Sequence, residues 1–488
     1  MTLRRLDFLL IPLAALALSL AAVQLAYVTE PWVPLAAIAV AAAVAATLAR
    51  PLAGLYLAIA LAPLELFSLT LGGSSSGGAE GGGFGLSPPE AMLLVTGGTW
   101  ALRRIVNGQL PLVPSPLNKP LVLLLLAVLP GVAIAAEPLF VVKVLVIWTC
   151  LFLVYQLVVD EGDAKTVKWL LLTLAVSGAV VGLIATIRTG GGSEISLLGQ
   201  GETAEGRAEG SFGHPNTLAT FEALALPGAL ALALATRGAV RLMAAAAFVL
   251  SFAGVALSLS RGGLLAIAGA LAMMAVWRPF RRVALVAALV VVPFAVAGAS
   301  PLGDVRVVDT VTERISSVEY SAQSNQRLDI WAATPEIIAD NPVLGVGIGQ
   351  FSSVAPRYGL AGAFEETYEH AHNIPLTIAA ELGLIGLAAL AWLAVALVGL
   401  LLRAYRDASG IDRGLVIAIA AALLALTVQG MVDYTLRLNL IVATVMLLAG
   451  CAVVLSRPTT TSRGASEATL AREGPPDGPL AYPAAASR

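Results

Sequence analysis

The sequence predicts an all-α, polytopic bundle of transmembrane helices, about 12–14 spans, with one large extracytoplasmic loop domain. Three observations lead there. Of 488 residues, 58% are hydrophobic and only 12% charged, about half the charged share of an ordinary soluble domain. Apolar runs near 20 residues recur almost from end to end, each long enough to cross a hydrocarbon core of about 30 Å. The runs are continuous rather than alternating, and in lipid only helices and closed barrels satisfy their own backbone. Continuous runs select the helix.

The first four spans fall at 8–28, 32–49, 51–71 and 88–102. Four more follow at 120–136, 138–159, 169–187 and 217–236. The rest lie at 240–259, 263–277, 283–299, 374–402, 415–431 and 438–455. Arg4 and Arg5 before the first run resemble a signal peptide, but that run is long and a second follows at once, so a retained helix is expected. Glu65 and Glu90 interrupt the third and fourth runs. The run at 374–402 is long enough to tilt. Cys150 and Cys451 both lie inside apolar runs and read as small buried residues, not a disulfide or metal pair.

Short basic connections set the orientation. With the N-terminus inside, Arg50, Arg103, Arg104, Lys119, Lys165, Lys168, Arg237, Arg241, Arg278, Arg281 and Arg282 fall on one side, with Arg403, Arg406 and Arg413. This is the positive-inside pattern, with that side cytoplasmic. The domain reading is then 1–299 for N-terminal spans, 300–373 for the large outside loop, 374–456 for C-terminal spans and 457–488 for a disordered cytoplasmic tail. Two shorter outside loops cover 72–86, rich in Gly and Ser, and 188–216.

Several arginines fall on the side that the rule leaves poor in them. Arg207 lies in Arg207-Ala-Glu-Gly-Ser-Phe-Gly-His-Pro-Asn216. Arg261 follows Ser258-Leu-Ser260 where a span emerges, and Arg327 lies in Asn325-Gln-Arg-Leu-Asp-Ile-Trp331. One such arginine is commonly a snorkelling anchor. Three on one face, each near Gly, Asn or Ser, suggest an anion site, because guanidinium forks match phosphate oxygens. His214, His370 and His372 also fall outside. His372 directly precedes a span, where it serves as a cap or as a general base with a pKa near neutrality. His214 and His370 read as structural or accessory. Glu365, Glu366 and Glu369 beside the His370-x-His372 pair offer a metal alternative, the less favoured one, since acidic loops are usually solvated. No Walker loop occurs, which argues against cytoplasmic nucleotide hydrolysis. No cofactor and no nucleic-acid partner are expected.

The segment from Arg327 to Phe351, ending Asp-Asn-Pro-Val-Leu-Gly-Val-Gly-Ile-Gly-Gln-Phe, and the segment His372-Asn-Ile-Pro-Leu-Thr-Ile-Ala-Ala-Glu-Leu-Gly383 resemble the O-antigen ligase and polymerase family. Ser260-Arg261-Gly262 and the Arg207–Asn216 block resemble its upstream motifs, so the likeness spans about 207–390. The resemblance implies a membrane glycosyltransferase on the outer face of the cytoplasmic membrane. The implied donor is a glycan on undecaprenyl diphosphate, and the implied acceptor a glycan, lipid or protein. By motif match, Arg261 and Arg327, with Arg207 as a weaker third, would bind the diphosphate without a metal, and His372 would be the base of an inverting transfer. Asn373, Asn216, His214 and His370 would be accessory, and Glu381 either orients the site or only packs. A polymerase using the same donor is the nearest alternative. A small-solute transporter, such as one for inorganic carbon, is a more distant one, because transporters place polar residues near the midplane at broken helices.

Overall fold

The computed structural model describes residues 32–65, 69–70, 85–190, 207–276, 280–282, 322–360 and 369–457. The expected spans at 8–28 and 283–299 lie outside these residues. So do Glu365 and Glu366, the 458–488 part of the tail, most of the loops at 72–86 and 188–216, and residues 300–321 and 361–368 of the large loop at 300–373.

The chain is a polytopic helical bundle. Its elements are α1 (Trp32–Ala49), α2 (Pro51–Ala60), α3 (Pro88–Val106), α4 (Asn118–Val128), α5 (Pro138–Glu161) and α6 (Ala164–Gly190). Then come α7 (Pro215–Ala235), α8 (Gly238–Ser258), α9 (Arg261–Ala275), α10 (Ala322–Asp340), α11 (Ile374–Asp407), α12 (Gly410–Gly430) and α13 (Asn439–Leu455). A two-residue antiparallel ladder pairs β1 (Leu69–Thr70) with β2 (Gly85–Leu86). Among the described residues, six helices are long and apolar enough to cross a membrane: α5, α6, α7, α8, α11 and α12. The protein is therefore a multi-pass membrane protein. Both cysteines are free, and Cys451 is buried.

Helix boundaries follow local signals. Ser87 and Glu90 form a reciprocal capping box at the start of α3, with prolines at its first positions. Pro51, Pro138, Pro215 and Pro375 likewise open α2, α5, α7 and α11. Pro130 ends the 120–136 run early, and only the short turn Gly131–Ile134 follows it. The 51–71 run similarly ends as a helix at Ala60 and continues as a 3-10 turn, Ala62–Leu64.

α7 is the axis of the bundle. It is buried on nearly all sides and packs against α6, α8, α9 and α12, as a helix apolar all round must. Small residues permit the close approach. A Cβ at Gly263 would stand 2.5 Å from Ala219 Cβ, and one at Gly178 would stand 2.8 Å from Glu222 Oε2. Glu222, on the axis itself, is fully buried.

The long apolar run after His372 differs from expectation. It is not one tilted rod, because Gly383 breaks α11 with φ 63° and ψ −166°. The segment after α10 fills the break. Val346 N donates to Ala380 O at 3.0 Å, Gly347 N to Glu381 O at 2.9 Å, and Leu384 N to Pro342 O at 2.8 Å. The Glu381 side chain joins in, accepting from Phe351 N at 3.4 Å. Backbone groups freed by the break thus find partners in the inserted loop, as buried groups must. Within the expected loop 300–373, the described part holds α10 and a short turn, Phe351–Val354. A small apolar cluster of Ile330, Ile337, Val346, Phe351, Ala355 and Leu360 seats them on Ala380 of α11.

Candidate active site

The ends of α7, α8, α9, α11 and α12 meet at one end of the bundle, and the three arginines chosen from the sequence meet there too. Arg207, Arg261 and Arg327 all line one cavity, together with Asn216, Ser260, Gly262, Gln429 and Asp433. It is polar and open to solvent, with about 520 Å³ of empty space.

Each arginine is held differently. Arg207 Nε donates to Ser258 O at 3.1 Å, and its Nη2 donates to Asn216 Oδ1 at 3.1 Å. Ser260 Oγ also donates to Asn216 Oδ1, at 2.8 Å. Asn216 therefore ties the start of α7 to the turn between α8 and α9. His214 caps α7, its Nδ1 accepting from Asn216 N at 3.2 Å. Arg327 Nη1 donates to Val432 O at 2.8 Å, which fixes α10 to the end of α12. Arg261 is the first residue of α9 and is exposed in the cavity. Ser260 caps that helix, accepting from Gly263 N at 3.2 Å. The N–H groups of a helix's first turn, like the guanidinium, favour an anion.

The histidines lie beside the arginines. His372 Nδ1 is 3.3 Å from Asp433 Oδ1, and Tyr434 N donates to the same oxygen at 2.9 Å. His370 Nδ1 accepts from His372 N at 3.2 Å, and its ring lies edge-on to His372 and to Tyr434. Asn373 caps α11, accepting from Leu376 N and donating to Met431 O, both at 2.9 Å. Trp331 Nε1 donates to Ala371 O at 2.8 Å. His372 itself adopts φ 47°, and Leu259, next to Ser260, φ 48°. They are the two non-glycine residues in that region among the described ones. Such conformations persist only where their surroundings enforce them and cluster at functional sites.

Electrostatics follow from burial and neighbours. Burial alone would raise the Asp433 carboxyl, but the His372 hydrogen bond and charge, with Arg327 behind them, hold it well below the usual range. Burial pushes the His370 imidazole well below its ordinary value and His214 down to about 4. Both rings are therefore neutral at pH 7. Glu381 is not among the residues that line this cavity; it is buried and accepts from Phe351 N of the inserted loop. His370, His372 and Asp433 could also hold a metal, since they offer one ligand atom each, all within 4.8 Å of one another. Glu369, part of the metal grouping read from the sequence, instead pairs with Arg437.

Residues 246–391, from α8 into α11, match the family model described as O-Antigen ligase. Over that stretch the chain is similar to the O-antigen ligase family. The match includes Arg261, Arg327, His370 and His372 and stops short of Arg207, Gln429 and Asp433. No curated protein matches the chain. That match supports a role of the ligase or polymerase type in glycan transfer by a membrane enzyme.

Gln429 and Asp433 were missed in the sequence. Both carried a signal: Gln429 is a polar residue within an apolar run, and Asp433 follows that run immediately. Polar groups in a span mark function by default. No fixed spacing, however, links residue 433 to residue 372.

Proposed function

We propose that this protein transfers a glycan from undecaprenyl diphosphate to an acceptor hydroxyl, at the outer face of the cytoplasmic membrane, without a metal and with inversion. The observation that carries the reading is the sharing of one cavity by Arg207, Arg261, Arg327 and Asp433, with Asp433 against His372. Asp433 accepts from His372 Nδ1–H, which leaves Nε2 as the base, as in a serine hydrolase triad. His372 Nε2 takes the acceptor proton as the acceptor oxygen bonds to the anomeric carbon. The bond from that carbon to the diphosphate breaks on the opposite side, and undecaprenyl diphosphate leaves with the electron pair. Arg261 and Arg327, assisted by Arg207, neutralise the charge that develops on it. The lipid tail lies against the helices.

The positive-inside pattern of the short connections supports the outer face. The polar groups that line the cavity gather at helix ends, which favours transfer over transport. The test is direct. Purified protein is incubated with undecaprenyl-diphosphate glycan and candidate acceptors, and the products are weighed. A single addition to a different molecule identifies a ligase and a ladder of repeats a polymerase. No transfer to any acceptor rejects the proposal.

A further inference from the structure

Gln429 lines the cavity and has no role in the scheme above. The residue is 1% exposed, and its Oε1 has no hydrogen-bond partner among the described residues. Leaving a buried acceptor unpaired costs about 1–3 kcal/mol, so a group that will pair with it is expected. Packing holds it in place. A Cβ at Gly262 would stand 2.9 Å from Gln429 Oε1 and 2.8 Å from Val432 Cγ2. The amide therefore lies over the first turn of α9, directly beside Arg261. Its backbone carbonyl accepts from Val432 N and Asp433 N, both at 3.0 Å, so the same residue ends α12 and shapes the turn that carries Asp433.

Gln429 thus stands between the arginines and the carboxylate that faces His372. In the proposed reaction that interval belongs to the anomeric carbon. The two ring neighbours of that carbon are the ring oxygen, which only accepts, and C2, which bears a hydroxyl or an acetamido N–H. A buried carbonyl oxygen needs a donor; in this scheme the acceptor hydroxyl gives its proton to His372, and of the two ring neighbours only the C2 substituent supplies one.

We propose that Gln429 is a specificity-determining residue that accepts a hydrogen bond from the C2 hydroxyl or acetamido group of the first donor sugar. This rests on the glycan-transfer reading given above. The probes are undecaprenyl-diphosphate glycan, the same donor with its first sugar deoxygenated at C2, and sugarless undecaprenyl diphosphate as an inhibitor. The wild-type protein is expected to use the 2-deoxy donor about tenfold less efficiently in kcat/KM, the value of one hydrogen bond. Gln429→Met should lower kcat/KM for the full donor by about the same factor. It should lose nothing further on the deoxy donor and keep inhibition by undecaprenyl diphosphate within about twofold. Retained inhibition also certifies that the variant is folded. Equal use of both donors by the wild-type protein, a comparison that needs no variant, overturns the assignment, as does a Gln429→Met protein that still discriminates between them. If the wild-type protein transfers from neither donor but folds, the glycan-transfer reading itself has failed.

Discussion

His372 Nδ1 and Asp433 Oδ1 stand 3.3 Å apart although 61 positions separate them in the chain. The contact joins the entrance of α11 to the turn after α12. An aspartate so placed orients an imidazole and stabilises its charged form. Asp433→Asn is expected to lower kcat by about 10²–10³-fold and His372→Ala by about 10²–10⁴-fold, both with folded protein retained. Steady-state transfer assays on the purified variants measure this. Normal turnover by His372→Ala would remove the base from the scheme.

Arg261 and Arg327 approach the cavity from different elements, and among the described residues only Arg327 of the two is tethered to a backbone carbonyl by a hydrogen bond. Arg261→Ala and Arg327→Ala should each abolish detectable transfer. Lysine at either position should restore little, because an ammonium lacks the planar fork. Arg327→Ala should also loosen α10 from the bundle, read as faster proteolysis within 322–340. Undiminished transfer by either alanine variant would contradict a diphosphate clamp.

Gly345 and Gly383 meet backbone to backbone. A Cβ on Gly345 would lie 2.6 Å from Gly383 N, and one on Gly383 would lie 2.7 Å from Leu344 N. Both residues also hold positive φ, which alanine tolerates poorly. Gly345→Ala and Gly383→Ala are each expected to destabilise the protein by about 2 kcal/mol or more. A lowered Tm in detergent reports it. Gly108→Ala, equally positive in φ but in open space, should cost less.

Acid should destabilise the site through its histidines. Burial lowers His214 to about 4 in the folded chain, whereas an unfolded histidine titrates near 6.5. Between those values the unfolded chain binds more protons, so stability falls as pH drops from about 6.5 toward 4. His370 acts in the same direction. Tm in detergent should therefore be lower at pH 4.5 than at pH 7. His214→Asn, which keeps a capping acceptor for α7, should flatten part of that slope. A Tm independent of pH over this range would show that neither ring is held neutral by the fold.

Chelation separates the arginine scheme from the metal alternative offered by His370, His372 and Asp433. With arginines neutralising the leaving diphosphate, EDTA is expected to leave transfer rates unchanged. Loss of activity with EDTA, restored by a divalent ion, would assign those three residues to a metal instead.

Much of the fold was legible in the sequence because hydrocarbon admits few backbone solutions. The run at 32–49 became α1 with the same bounds, and those at 138–159, 240–259 and 438–455 differ from α5, α8 and α13 by a few residues at most. Arg207, Arg261 and Arg327 were legible as a group because the positive-inside pattern leaves their side poor in arginine. Local chemistry thus determined helices, caps and the candidate residues. Tertiary structure alone decided that α11 is broken at Gly383 and that Glu381 holds the inserted loop. It also paired His372 with Asp433 and left Gln429 over the first turn of α9. Those relationships join residues tens of positions apart, and helix packing, which has no sequence period, is what brings them together.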